Sequence, residues 1–301
     1  MCAGRVADRV LIVTNKLLCL GMGYVATALA QRLSRADWSV AGTCTTAAKQ
    51  GVLESKGIAA TLFSREYALS PSILEGVTHL VCSIPPDEHG DLASEWLAAN
   101  MALTKGLQWA ALLSTTGVYG NRDGAWVDED ADLRPTSPRS SRRAAAEAQW
   151  RALQNAHAFP AHIFRLAGIY GPGRNPLDRV RGGTARRIVK PGLMLSRIHR
   201  EDIVGILCAS IEASDPGAIY NVADDEAAPP QDVVAFACAL LGVVPPLEED
   251  FETATMSPMA RSFYLDNKRI RNDRFKRDLG YQLTYPTYRE GLTALLAEGI
   301  Q

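Results

Sequence analysis

The stretch KLLCLGMGYVATALAQRL, residues 16–33, passes from an apolar run through a Gly-rich turn into a pattern with Val25, Leu29 and Leu33 on one helical face. That order commits the segment to a strand followed closely by a helix. The rhythm repeats down the chain. Strand-like runs at Leu17–Leu20, Ser39–Cys44, Ile58–Phe63, His79–Ile84, Ala110–Ser114 and His162–Leu166 alternate with helical patterns at Tyr24–Arg35, Asp91–Thr104 and Ser141–His157. Strands separated by helices predict an α/β fold: a doubly wound parallel sheet with right-handed crossovers.

After Tyr170 the alternation breaks. Pro, Gly and Arg crowd residues 171–192, one further helix follows at Asp202–Ala213, and shorter elements fill the rest. The expected division is a first domain over 16–170, with a return segment near 198–215, and a smaller region over 171–301. A length of 301 residues is enough for both. The formal charge of −1, from 32 basic and 33 acidic residues, gives no overall field to draw in nucleic acid or membrane. Six widely spaced cysteines without a CxxC, four of them (19, 82, 208, 238) inside apolar runs, suggest buried free thiols and a cytoplasmic setting. The first 21 residues make a poor signal peptide, and no later run is long enough to span a bilayer.

The turn itself reads Gly21-x-Gly23-x-x-Ala26. In a dinucleotide site, Gly21 permits the tight turn and Gly23 lets the backbone approach a pyrophosphate. Ala26 then allows close helix–strand packing, while the amides of Tyr24, Val25 and Ala26 open the helix toward the phosphates. Alone, this motif also fits a tight turn with no ligand; its place at the first strand–helix junction favours the ligand. The second strand should end beside the adenine ribose. An NAD site usually offers a carboxylate there, but this chain offers Thr43, Cys44, Thr45 and Thr46, with Lys49 further on; Asp37 comes too early. Thr43 and Thr45 are therefore candidate cofactor contacts, and NADP is favoured over NAD.

LLSTTGVYG (112–120), RLAGIYGPGR (165–174), RIHREDI (197–203) and AIYNVADDE (218–226) follow in order. The series resembles the extended and atypical short-chain dehydrogenases/reductases, the NAD(P)-dependent epimerase/dehydratase superfamily. The resemblance implies a Rossmann domain, a small C-terminal substrate domain and a homodimer formed through two Rossmann-domain helices. In that family a Ser or Thr stands four residues before the Tyr of VYG, matching Thr115 and Tyr119. A Tyr-x-x-x-Lys pair then opens the following helix, the phenol moving the proton and the lysine binding the nicotinamide ribose. Laid on PTSPRSSRRAAAE (135–147), the tyrosine falls on Arg139 and the lysine on Arg143. Slippage does not restore the pair, because no Tyr occurs from 120 to 169 and no Lys from 106 to 189.

A guanidinium keeps its proton, so Arg139 cannot do a tyrosine's acid–base work. Arg143 can still bond ribose hydroxyls. Arg139 suits a substrate carboxylate or phosphate. Equally, the arginines could form a solvated face, with Arg143 paired to Glu147 at i,i+4. Other donors are Tyr119 and Tyr170 near strand ends, Thr115 as a carbonyl-orienting group, and Asp128 and Glu129 if buried, although a polar loop explains those two better. His199 and Asp202 match the family's H-x-x-D, with Asp202 read as a helix N-cap.

Residues 171–200 hold eight Lys/Arg against one acid, which suggests a cationic patch for an anionic or nucleotide-linked substrate, with Tyr170 and Arg174 as candidate contacts. The five histidines show no metal-ligand spacing, and neither GxSxG nor GxxxxGK[ST] occurs. Two readings follow: an atypical NAD(P)-dependent oxidoreductase or epimerase-like enzyme with a rebuilt proton-transfer site, or a non-catalytic NAD(P)-binding sensor or scaffold. Both bind small molecules and neither needs nucleic acid or membrane.

Overall fold

A computed structural model describes residues 15–213 and 215–299. Seven strands form one all-parallel sheet: β1 (Lys16–Leu20), β2 (Ser39–Cys44), β3 (Ala59–Leu62), β4 (His79–Cys82), β5 (Trp109–Thr115), β6 (Ala161–Leu166) and β7 (Ile219–Val222). Their spatial order is 3-2-1-4-5-6-7. The order reverses between β1 and β4, so the crevice at that point opens beside the Gly-rich turn. The return segment runs further than 198–215 suggested, because β7 lies beyond it and pairs with β6.

The central strands β1, β4, β5 and β6 are buried almost throughout, as strands covered on both faces must be. Alternate side chains go to opposite layers. Leu17 and Cys19 face the layer of α1 (Tyr24–Ser34), while Leu18 and Leu20 face that of α3 (Leu92–Ala99) and α4 (Pro138–His157). Between them in sequence, α2 (Ala47–Glu54) links β2 to β3, and α5 (Arg200–Ala213) packs beside α1. Cys19, Cys82 and Cys238 are buried free thiols and Cys208 is half-buried; Cys2 lies outside the described residues.

Two helix starts differ from the sequence reading. Helix α4 begins at Pro138 rather than Ser141: proline suits the first helical position, and Ser137 caps the end by accepting the Ser140 N–H at 3.2 Å. Helix α5 begins at Arg200, so Asp202 is inside its first turn and is not the N-cap. Its buried carboxylate accepts instead from the Tyr281 hydroxyl (3.0 Å) and the amides of Thr284 (2.7 Å) and Tyr285 (3.1 Å), fastening the C-terminal segment to the helix. That segment ends in a helix, Tyr288–Glu298, which packs with Tyr170, Leu177 and Val233 in the small core of the second region.

A buried ion pair sets the angle of α4. Arg165 on β6 grips Glu147 through Nη2 (2.8 Å) and Nε (3.1 Å), and the Ser114 hydroxyl donates to the same carboxylate. Both side chains are under 5% exposed. Glu147→Ala is expected to cost about 3–5 kcal/mol by leaving the guanidinium buried without its counter-charge. Chemical denaturation should read this as a lower midpoint at unchanged slope. A loss below about 1 kcal/mol would mean that Glu147 does not hold the helix.

Candidate functional site

The turn after β1 is built on its neighbours. Gly21 has φ +85°, and a Cβ there would come within 2.9 Å of the Ile84 side chain. Its N–H donates to the buried Thr43 hydroxyl (2.8 Å), and its carbonyl accepts from the Ser83 hydroxyl (2.6 Å). Gly23, the N-cap of α1, has no side-chain cap, and the first turn carries no acid. The opening amides of α1 are thus left for an anion, which suits a pyrophosphate. The side chains of Val25 and Ala26 are buried, so those residues can offer only backbone.

Thr45 is exposed at the end of β2, whereas Thr43 is enclosed beneath the turn and positions it. Helix α2 then starts at Ala47, capped by Thr46 and without an acid in its first turn. Tyr24 points away from the turn. Its hydroxyl donates to the Pro172 carbonyl (2.9 Å), and the guanidiniums of Arg200 and Arg174 lie 4.8 and 5.8 Å from its ring. These contacts tie the first helix to the loop that opens the second region.

Arg143 reaches the carboxyl edge of the sheet. Its Nη1 donates to the carbonyls of Leu113, two residues before the end of β5 (3.1 Å), and Ile84, just past β4 (3.5 Å). Ile84 therefore touches both Arg143 and the Gly21 turn. Burial lowers the pKa of this guanidinium from its ordinary value. The i,i+4 pair with Glu147 does not form, because Glu147 turns inward to Arg165. Thr115 is half-buried at the end of β5, and its hydroxyl accepts the Gly117 N–H (3.1 Å). Arg139, one helical turn before Arg143, is exposed.

The other acid candidates lie elsewhere. Tyr119 is fully buried: its hydroxyl donates to Asn221 (2.7 Å) and accepts from Arg165 (2.7 Å), and burial pushes its pKa up to about 12. It belongs to the core and cannot meet a substrate. Tyr170 is enclosed over Gly291, its hydroxyl donating weakly to Thr287 (3.4 Å), and burial drives its pKa far up. It is a packing residue rather than a substrate contact. Glu129 is buried too, but its carboxylate holds the Asn221 N–H of β7 (2.8 Å); Asp128 is exposed in a loop.

Half of the eight cations in residues 171–200 pair with acids, two of these distant in sequence and two close by. Arg186 pairs with Glu249, Arg187 with Glu248, Arg200 with Glu201 and Arg181 with Asp178. Arg197 is spent on the carbonyls of Leu195 and Ala228. Lys190 donates to the Tyr264 carbonyl (2.7 Å). Arg174 and Arg179 remain, lining a hollow of about 410 Å³ with Asn175, Asp178 and Thr184. Sequence reasoning missed Ser83 and Ile84, although the run HLVCSIPP ends its strand where a first-turn neighbour must stand. Arg200, counted there only as one of the eight cations of 171–200, has its place over Tyr24 from a contact that no local signal foretells.

A model of the NAD dependent epimerase/dehydratase family matches residues 89–223. A conserved protein of unknown function from Silicibacter pomeroyi DSS is 47% identical, with TM-score 0.88 over 95% of this chain and 99% of that one. YeeZ of Escherichia coli K12 is 29% identical over 90% of this chain and 97% of its own. The NAD complex of dTDP-glucose 4,6-dehydratase from Bacillus anthracis shares the fold, at 16% identity and TM-score 0.77 over 94% and 96% of the two chains.

Thr43→Val should remove one support of the turn. Isothermal titration is expected to show dinucleotide affinity about fivefold weaker, the equivalent of one hydrogen bond of ~1 kcal/mol. An unchanged affinity would show that the turn holds itself. His79 and His199, both buried, have pKa values lowered by burial from 6.5 to about 4. Their C2–H proton resonances should stay neutral-like down to that pH. Since the unfolded chain binds these protons first, their stabilising share is full above pH 6.5 and drains away as pH falls toward 4. Titration near 6.5 would contradict their enclosure.

Proposed function

The chain belongs to the NAD-dependent epimerase/dehydratase family, and we propose that it binds NADP at the Gly21–Ala26 turn and acts as an oxidoreductase on a small anionic substrate beside Arg143. One observation carries this reading: the Arg143 guanidinium stands near the carboxyl ends of β4 and β5 and bonds Ile84, the residue that also packs against the turn. The dinucleotide, when bound, supplies or accepts a hydride. The amides opening α1 would hold its pyrophosphate. Thr45 and the acid-free start of α2 leave room for a 2′-phosphate that a carboxylate would repel, which supports NADP over NAD.

Arg143 would do its work without releasing a proton. A permanent cation in a half-buried site holds negative charge on a ribose hydroxyl or a substrate oxygen more strongly than it would in water. The Thr115 hydroxyl, at the same edge, can donate to that oxygen. Water then serves as the source of the proton, because the phenols of Tyr119 and Tyr170 are enclosed elsewhere. That last observation also favours a second reading, a dinucleotide sensor without turnover.

Titration calorimetry with NADPH and NADH tests the cofactor site. NADPH should bind more tightly, and Arg143→Met should weaken binding at least about tenfold, the loss of one charge-assisted bond. No heat with either nucleotide at millimolar concentration would end the reading. NADPH oxidation with carboxylate-bearing carbonyl compounds, abolished in Arg143→Met and partly kept in Arg143→Lys, separates enzyme from sensor.

A further inference from the structure

The segment after Ser257 is amphipathic in the wrong sense for a surface. Its short helix, Pro258–Ser262, and the turn that follows fold the half-buried Arg261 back onto the chain and leave their large apolar side chains exposed. Arg261 turns inward over Phe251 and donates to the carbonyls of Phe251 and Ala254, both at 3.1 Å. Tyr264 stacks on Phe251 with ring centroids 5.4 Å apart, and its carbonyl accepts from Lys190 (2.7 Å). Meanwhile Met259 is 66% exposed, and Phe263 and Leu265 are each 55% exposed. Large apolar side chains grouped outward on an anchored segment mark a contact surface.

The neighbour of that surface is Arg139. Its guanidinium carbon lies 5.9 Å from the centre of the Phe263 ring, and it has no acidic partner among the described residues. Past Asp266, which accepts from Thr136, Asn267 accepts the amide of Met194 (3.1 Å) and donates its own to Asn121 (2.9 Å). The segment therefore bridges the second region to the mouth of the site, one helical turn above Arg143.

We propose that Arg139, Met259, Phe263 and Leu265 form the substrate entrance and that they select an organic carboxylate with an apolar body. This deepens the oxidoreductase reading above and rests on it. A free guanidinium pairs with a carboxylate through two parallel bonds, and the ring beside it offers a flat apolar wall. A nucleotide-linked diphosphate would want several free cations in the second region, where most are already committed to acids or carbonyls.

The test uses the full chain and two titrations. NADPH alone reads the cofactor site; 3-phenylpropionate, titrated into protein with and without NADPH, reads the entrance. Binding of 3-phenylpropionate is expected to weaken at least about tenfold in Arg139→Gln and with the neutral amide, 3-phenylpropanamide, in place of the acid. Phe263→Ala should weaken it about fivefold or more. Neither variant should change NADPH affinity. Failure of 3-phenylpropionate to bind in either state overturns the proposal, as does equal binding by acid and amide. Tight binding of UDP that ignores Arg139→Gln overturns it as well. So does a homodimer, seen by sedimentation velocity, that dissociates in Phe263→Ala. Failure of NADPH to bind instead removes the cofactor reading, so the two failures are told apart.

Discussion

The buried Arg165–Glu147 pair is the constraint on which the site depends. A helix lying across a sheet can rotate about its axis at little cost if only apolar residues meet the strands. An ion pair does not permit that, because any rotation strips a charge of its partner in a medium that does not solvate it. Glu147 must face β6, and a residue one turn earlier on the same face must then point at the sheet's carboxyl edge. That residue is Arg143. Its contacts with Leu113 and Ile84 follow from an interaction made elsewhere on the helix.

The same network disposes of Tyr119. Arg165 spends its remaining donors on that phenol and on the Glu129 carbonyl, while Asn221 accepts the phenolic proton. One cationic side chain thus locks β6 and α4 together with the turn after β5, and Asn221 extends the network to β7. The cost is that a hydroxyl at a strand end is drawn inside. A site assembled on this frame has a fixed cation at its floor, with its hydroxyls supplied by Thr115 and the exposed edge of β2.

Much of the frame could be read in the residues themselves, for a physical reason. Parallel strands buried on both faces need unbroken apolar runs, and HLVC, WAALL and AHIF carry that signal without help from distant residues. The Gly21 turn was equally legible, since only glycine tolerates its backbone and the approach of Ile84. What could not be read was the choice among partners. Glu147 had a local candidate in Arg143 and took Arg165 instead, because β6 lies against that face. Tyr119 looked like a strand-end phenol until Asn221, far along the chain, closed over it. The helix starts at Pro138 and Arg200 were displaced by capping details that a periodic pattern does not resolve.

Charge gives the sharpest case of this limit, and it bears on function. Residues 171–200 look like an anion trap partly because the acids that pair with Arg186 and Arg187, Glu249 and Glu248, arrive from another segment. Counting charge along the chain treats each cation as free, whereas folding hands most of them a partner. What matters for recognition is the cation left over beside a surface that water does not favour. Arg139 is such a cation, next to Phe263, while Arg174 and Arg200 are drawn over Tyr24. Unspent charge beside exposed apolar area is a combination that neither a purely structural helix face nor a diphosphate cradle requires. An amphipathic acid answers both halves of it.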